Sequence, residues 1–421
     1  MIEMMDYIYY IIWFHKAFGT TARGRKVLAY YKGDYEALYM ALFHDREDSG
    51  FTDGDRDKLI YHSAIDSDFE AVRCNLEGWH AVSCLSEYYP KELLKIKDYP
   101  HVLFCDGDIE VLKGDVKFAV VGSRDAHEDA RVAARNAAYN LAKSGSVIVS
   151  GAALGIDSAA HLGAIEANGS TVGVLGCGLG SRYMKNIGDL YDRIKKNGVF
   201  ITEMLPDANP ARYTFAERNR IISGMSNAVL VAGADKGSGA LITATHAKKQ
   251  GRRVFAMSPE IAPGEGCKSL IAEGATVFYN AGDMVYPMRE LFPEGALKEE
   301  YLLSPVSAAL SSAKSEVLEL PVSKTPRRKK SASEKTSSKK TEKADNGKKA
   351  NEDNKPSETV LPEDLSEEAV KLYGLIGEEA IGVDELVKMT GFSASRVLVS
   401  VSELESELLI TVLPGNRVVR S

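Results

Sequence analysis

What this chain lacks narrows its function more than its bulk composition does. Its 421 residues include only five cysteines, Cys74, Cys84, Cys105, Cys177 and Cys267, an odd number scattered with no CxxC pair. That spacing excludes a disulfide framework and a zinc knuckle, and leaves small buried hydrophobes of a reducing compartment. Long apolar runs are missing too. The longest early one, Tyr7 to Phe14, is far short of the roughly 20 residues that span a bilayer. It follows Glu3 and Asp6 rather than a basic region, so it makes a poor signal peptide. A cytoplasmic protein with no membrane partner is expected.

The common nucleotide-enzyme motifs are absent in full form. No segment supplies GxxxxGK[ST], so ATP held by a Walker loop is not expected. Gly176-Cys177-Gly178-Leu179-Gly180 has the wrong glycine spacing for a dinucleotide fingerprint, which argues against NAD. No GxSxG elbow marks a nucleophile. No catalytic residue, cofactor or metal site is therefore expected.

Charge of one sign is scarce only on average. The net charge is −7, which by itself argues against a nucleic-acid binder. Between Lys324 and Ala350, however, eleven Lys/Arg face three Asp/Glu, a surplus of eight positive charges that leaves −15 on the rest of the chain. An anion site on the folded part must then be a local basic pocket on an acidic body, with a sharpened field.

At this length two or three domains are expected. Residues 1–70 lack strand runs and show helical patches such as Gly24 to Phe43, so they read as a small α domain. An α/β region, 71–290, follows. Its strand candidates are Val102–Cys105, Phe118–Val121, Val147–Val149, Thr171–Leu175, Val199–Thr202, Ala228–Val231, Val254–Met257 and Thr276–Tyr279. Helical segments between most of them imply a Rossmann-like, mostly parallel sheet with right-handed crossovers. A Lys/Ser-rich linker, 291–360, comes next; from about Pro321 to Glu358 it has almost no apolar residues and should be a disordered tether. In 361–421, SEEAVKLYGLIG, GVDELVKMTG and SASRVLVSVSELESE read as three helices. LLITVLP and RVVRS flank a Gly415-Asn416 turn. That is a winged-helix-like pattern, with Ser393 as N-cap of the recognition-type helix. The helix carries Arg396 but also Glu403, Glu405 and Glu407, which makes it a poor major-groove reader.

Four Gly-rich turns follow predicted strands: Gly122-Ser123-Arg124, Ser150-Gly151-Ala152-Ala153-Leu154-Gly155, Gly176 to Gly180, and Lys236-Gly237-Ser238-Gly239. In an open parallel sheet those strand ends lie along one edge, where backbone N–H groups and helix N-termini can hold phosphate. Arg124 adds a bidentate phosphate donor, and the Lys185-Asn186 pair adds a point charge. Arg218-Asn219-Arg220, with Phe215 just before it, heads a probable helix and suits a phosphodiester. His161 follows Asp157 by one helical turn, and a structural hydrogen bond bracing the second turn is the favoured reading over a catalytic pair.

VVGSR, VSGAALGIDSAAHLGAI, VGVLGCGL, FAERNRIISGMS, GSGALITATHAKKQGRRVFA and GCKSLIAEGA, in this order and spacing, resemble the signature of the DNA-processing protein A (DprA/Smf) family over residues 76 to 283. The resemblance implies a binding protein rather than an enzyme. Members hold single-stranded DNA along the basic edge of a Rossmann-like domain, dimerise through that domain and load RecA onto incoming strands during natural transformation. Carried over by position, Ser123, Arg124, Ser150, Gly151, Lys185, Asn186, Arg218, Asn219, Arg220, Ser238 and Gly239 would contact DNA. Lys268, Leu270 and Ile271 match a region that relatives use for self-association, so a homodimer is implied. The chain departs from the family at Tyr183-Met184, Phe215-Ala216 and Pro259-Glu260, where a second-position proline or glycine is usual. The rival reading is an enzyme of the related LOG-type phosphoribohydrolases. Their GGxGTxxE hallmark would place Ala240 at the Thr and Thr243 at the catalytic Glu.

Overall fold

The computed structural model describes residues 7–44, 50–62, 64–294, 297–307, 365–377, 381–392, 397, 400–401, 404, 409–413 and 417–420. The chain divides into two compact units at Pro321/Val322. The tether expected between them lies, beyond residue 307, outside the described residues.

The first unit opens with five helices: α1 (Ile8–Phe18), α2 (Ala22–Tyr30), α3 (Tyr35–His44), α4 (Asp53–Tyr61) and α5 (Ala64–Leu76). The helical patch expected over Gly24 to Phe43 is two helices, because Lys32 and Gly33 take positive φ (55° and 83°) between α2 and α3. Thr21 caps α2, and Thr52 with Asp55 forms a capping box on α4.

Alternating strands and helices follow: β1 (His80–Ser83), β2 (Val102–Gly107), β3 (Lys117–Gly122), α6 (Glu128–Lys143), β4 (Val147–Ser150), α7 (Ile156–Glu166), β5 (Thr171–Val174), α8 (Leu190–Asn197), β6 (Gly198–Thr202), α9 (Arg212–Gly224), β7 (Ala228–Gly233), α10 (Gly239–Lys249), β8 (Arg253–Met257), α11 (Glu265–Ala272) and β9 (Thr276–Phe278). All eight strand candidates are present, within one or two residues at their ends. The ninth, β1, was not read from the sequence; of its four residues only Val82 is buried, and they carry no apolar run.

The sheet order is β1-β2-β6-β5-β4-β3-β7-β8-β9. β2 pairs antiparallel with both β1 and β6, and the other pairs are parallel. The central strands are buried on both faces, which is why FAVV, VIV and AVLVA read as unbroken apolar runs. From β3 the chain steps to β4, β5 and β6 on one side, then returns to β7, β8 and β9 on the other. The reversal between β3 and β7 is a topological switch point, where the loops diverge and leave a crevice.

One face of the sheet buries Phe118, Val120, Ile148 and Leu230 under the alanine-rich α6 and α7. On the opposite face a single hydrophobic cluster joins Val149, Phe200 and Ile221 to Trp13, Phe14, Leu38 and Leu59 of the N-terminal helices. Trp13 Nε1 donates to the Leu59 carbonyl at 2.8 Å, and the Tyr35 hydroxyl lies 2.7 Å from His101 Nδ1. All five cysteines are buried and unpaired.

The second unit has α12 (Glu367–Tyr373), β10 (Ile381–Gly382), α13 (Val383–Thr390), β11 (Ile410–Leu413) and β12 (Arg417–Arg420). Ser366 caps α12, and Gly391 closes α13 at φ 70°. The strands form an antiparallel sheet in the order β10-β12-β11, with Ile410 opposite Arg420 and Leu413 opposite Arg417. Val397, Ser400, Val401 and Leu404 are helical and buried at i, i+3, i+4 and i+7, so they show one face of the third helix. Ser393, Arg396, Glu403, Glu405, Glu407 and the Gly415-Asn416 turn lie outside the described residues. Three helical segments and a terminal hairpin make a winged helix.

Candidate nucleic-acid interface

The four Gly-rich turns meet at the C-terminal edge of the parallel strands. The first is tied to the end of β7, the strand that leads into the fourth: Ser123 N–H donates to the Gly233 carbonyl at 2.7 Å, across the switch point. It also rests on the second, since Ile156 N–H donates to the Ser123 carbonyl at 3.2 Å. Gly155, at φ 82°, permits that approach: a Cβ there would lie 2.4 Å from the Ser123 oxygen and 2.5 Å from that of Arg124. The third turn is held by α9, whose Thr214 hydroxyl donates to the Gly176 carbonyl at 2.6 Å. Ser238 caps α10 at the fourth turn by accepting from Ala240 N–H.

Arg124 and Arg218 both approach the ring of Phe215, at 5.1 and 5.9 Å from its centroid. Tyr183 tilts against the same ring at 5.3 Å. Their surroundings differ. Arg124 is exposed, whereas Arg218 is only 5% exposed and its Nη1 donates to the Gly151 carbonyl at 2.7 Å and to that of Val174. Burial pushes the Arg218 guanidinium down from its usual value and Asp157 opposes that shift, while nearby Arg124 adds to it. Burial likewise pushes the Asp157 carboxyl up, against the pull of Arg218 and of the Ala153 and Gly122 N–H groups. Arg218 thus ties the second turn to the end of β5, the strand that leads into the third, and Arg124 stands over the ring.

Other expected contact residues divide between edge and interior. Lys185 and Gly239 are exposed, and Ser123 and Ser238 are half-buried at the rim. Ser150 is fully buried and donates to the Val120 carbonyl at 2.6 Å; Gly151 offers its backbone alone. The Asn186 side chain lies outside the described residues. Asn219 reaches the Gly239 carbonyl at 3.4 Å and so joins α9 to the fourth turn. Arg220 points away from the turns: it pairs with Glu203 and with Asp98, the latter at 3.3 Å, and reaches Thr20 of the α1–α2 connection at 3.3 Å. On α11, Lys268 is exposed, Ile271 half-buried and Leu270 buried in the core.

The Asp157–His161 pair expected on α7 does not form a hydrogen bond. His161 Nδ1 lies 2.7 Å from the Thr171 hydroxyl, which itself donates to the Ile148 carbonyl at 2.8 Å. The hydroxyl's one proton is therefore committed, so Nδ1–H is the donor. Burial lowers the His161 pKa to about 3. The histidine braces β5 rather than the second turn. The partnership of Asp157 with Arg218, 61 positions away, left no local signal in the sequence, and neither did the contact of Tyr183 with Phe215.

Among the described residues no group of three His, Cys, Asp or Glu could hold a metal, and no helix is long and apolar enough to cross a membrane. Thr243, at the position where a phosphoribohydrolase would carry its Glu, is buried on α10.

A family model for DNA recombination-mediator protein A matches residues 80–289, and one for the DprA winged helix domain matches residues 356–416. The chain is 39% identical over 205 residues to the DNA processing protein DprA of Streptococcus pneumoniae, covering 48% of this chain and 72% of that protein. It is 35% identical over 216 residues to DprA of Bacillus subtilis, covering 51% and 73%. The X-ray structure of the Streptococcus pneumoniae protein superposes with a TM-score of 0.56 and 31% identity, over 66% of this chain and 97% of that one. The first match spans every strand from β1 to β9, all four Gly-rich turns and the Phe215–Arg218 segment, and the second falls on the winged helix. On these grounds the chain belongs to the DNA-processing protein A (DprA/Smf) family.

Proposed function

We propose that this chain holds single-stranded DNA along the C-terminal edge of its parallel sheet and, as a homodimer, passes the strand to RecA during natural transformation. Family membership gives the chain a role in DNA processing. The observation that carries the single-strand reading is the exposed Arg124 above the Phe215 ring, with Tyr183 beside it. A cation next to half-buried aromatic rings suits a backbone phosphate and an unstacked base at once, and bases stacked in a duplex cannot reach those rings. Ser123, Lys185, Ser238 and Gly239 lie along the same edge and extend the track. Ser150, Gly151, Arg218, Asn219 and Arg220 act behind it, by fixing the turns and α9.

The pocket holds its ligand without cutting it. A phosphoribohydrolase needs a carboxylate at the fourth turn, and Thr243 supplies none. If α11 serves self-association, Lys268 and Ile271 form its contact, with Leu270 supporting them from the core. The test is fluorescence anisotropy on a labelled oligo-dT strand and on a duplex of the same length, with ribose 5-phosphate release from AMP assayed in parallel. The reading expects the single strand to bind at least about tenfold more tightly, a difference of about 1.4 kcal/mol, and no release. Equal affinity for the duplex, or measurable release, would contradict it.

A further inference from the structure

The crevice at the switch point is where an open parallel sheet ordinarily receives a phosphate, on backbone N–H groups of its first turns and of the helix behind them. In this chain a carboxyl group of the protein is already there. Asp157 stands in the first turn of α7 and is only 7% exposed. Backbone N–H groups from two different turns donate to it, that of Ala153 in the second and that of Gly122 at the start of the first. The Arg218 guanidinium supplies the opposite charge.

The backbone is shaped around that acid. A Cβ on Gly151 would lie 2.6 Å from Asp157 Oδ2, and 2.5 and 2.6 Å from Arg218 Nη2 and Nη1. Glycine alone lets the acid and the guanidinium close on the second turn together. Ala152, next in the chain, is held at φ 54°, a left-handed conformation that a residue with a Cβ resists. Ala153, whose N–H goes to the carboxylate, follows directly. A Cβ on Gly122 would meet Ile156 Cγ1 at 2.4 Å, so α7 begins hard against the first turn. Residues that read in the sequence as a phosphate loop thus close on an acid of the chain's own.

We propose that Asp157 is a built-in anion that fills the phosphate position at the switch point. It bars inorganic phosphate and nucleoside monophosphates from the crevice and leaves the outer rim, around Arg124, to phosphodiesters. A phosphate in the crevice would share two N–H donors and one guanidinium with a carboxylate, and the like charges would repel. A strand crossing the rim keeps its phosphates outside and meets no such conflict. The proposal deepens the proposed function, because it concerns which phosphates the same edge accepts. Its test uses no DNA, so its failure is distinguishable from failure of the single-strand reading.

Removing the carboxylate should open the position to a free anion. The thermal midpoint of the full chain is measured with and without Asp157→Ala, in sodium phosphate and in sodium chloride of equal ionic strength. Phosphate stabilises folded proteins in general by exclusion from their surface, so the readout is the excess over the unsubstituted chain. Asp157→Ala should be less stable in chloride and should gain from phosphate at least about 2 °C more than the unsubstituted chain gains. A purely structural role would weaken this variant equally in both salts. Asp157→Asn fills the same space without the charge and should show no excess. In parallel, Arg124→Ala, which clears the rim of its cation, is titrated calorimetrically with AMP, and no binding is expected at millimolar concentration. The proposal would be overturned by an Asp157→Ala variant with no excess stabilisation in phosphate, or one that fails to fold in phosphate as in chloride. The same excess in Asp157→Asn, or saturable AMP binding by Arg124→Ala, would overturn it too.

Discussion

Arg124 and Arg218 share one aromatic ring but have opposite costs of removal. Arg124 is exposed, so its loss takes away a charge that water already screens. Arg218 is buried against two carbonyls and beside Asp157, so its loss strands a buried carboxylate. Removing one partner of a buried pair costs about 3–5 kcal/mol. Arg218→Ala is accordingly expected to lower the unfolding free energy in a urea titration by about 3 kcal/mol or more, and Arg124→Ala to change it by no more than about 0.5 kcal/mol. Matching losses in the two variants would show that Arg218 is not the strut described.

The buried histidines set an acid limit. Burial lowers the pKa of His161 and of His101 to about 3 and that of His15 to about 4, from an ordinary value of 6.5. Between these values the unfolded chain binds protons that the folded chain refuses. Stability is therefore full above about pH 6.5 and falls as the pH drops towards 4, by up to about 1.4 kcal/mol per pH unit for each histidine. His161→Gln should make the decline between pH 6 and 4 shallower by about one proton. An unchanged slope would mean that His161 is already charged in the folded protein.

At the scale of elements, what could be read in the sequence depended on how local each signal was. The buried parallel strands announce themselves as apolar runs closed by Gly-rich turns, so Phe118–Val121 and Ala228–Val231 were readable with no partner in view. The break between α2 and α3 was passed over although Gly33 marks it, because the helical patches on either side run close together and Lys32 beside it takes a left-handed position that its residue type does not announce. Arg220 reads as part of a basic Arg-Asn-Arg element. Only the fold shows that α9 turns it toward Glu203 and Asp98, away from Arg218 two positions earlier. Packing of α7 on α6 depends on a similar non-local fact. A Cβ on Gly163 would lie 2.1 Å from the Arg135 carbonyl of α6. Ala is the better helix former, yet Gly163→Ala should destabilise by about 1–3 kcal/mol as the helices are forced apart. A neutral or stabilising effect on the thermal midpoint would show that the two helices can separate at no cost.

Across the whole molecule the charge is segregated, with a strongly basic stretch at 324–350 and a net −15 elsewhere. An anion reaching the sheet edge meets a few cations on an otherwise acidic body, so each phosphate contact should weigh heavily in the salt dependence of binding. The central claim is that Arg124 grips a phosphate of a single strand. The most direct test is oligo-dT affinity over a range of salt concentrations, for the chain and for Arg124→Ala, each ending after residue 307 so that the basic stretch is absent. The account predicts weaker binding by the variant and a log K against log salt slope shallower by about 0.7, the equivalent of one lost contact on a single strand. Equal affinity with an unchanged slope would contradict it.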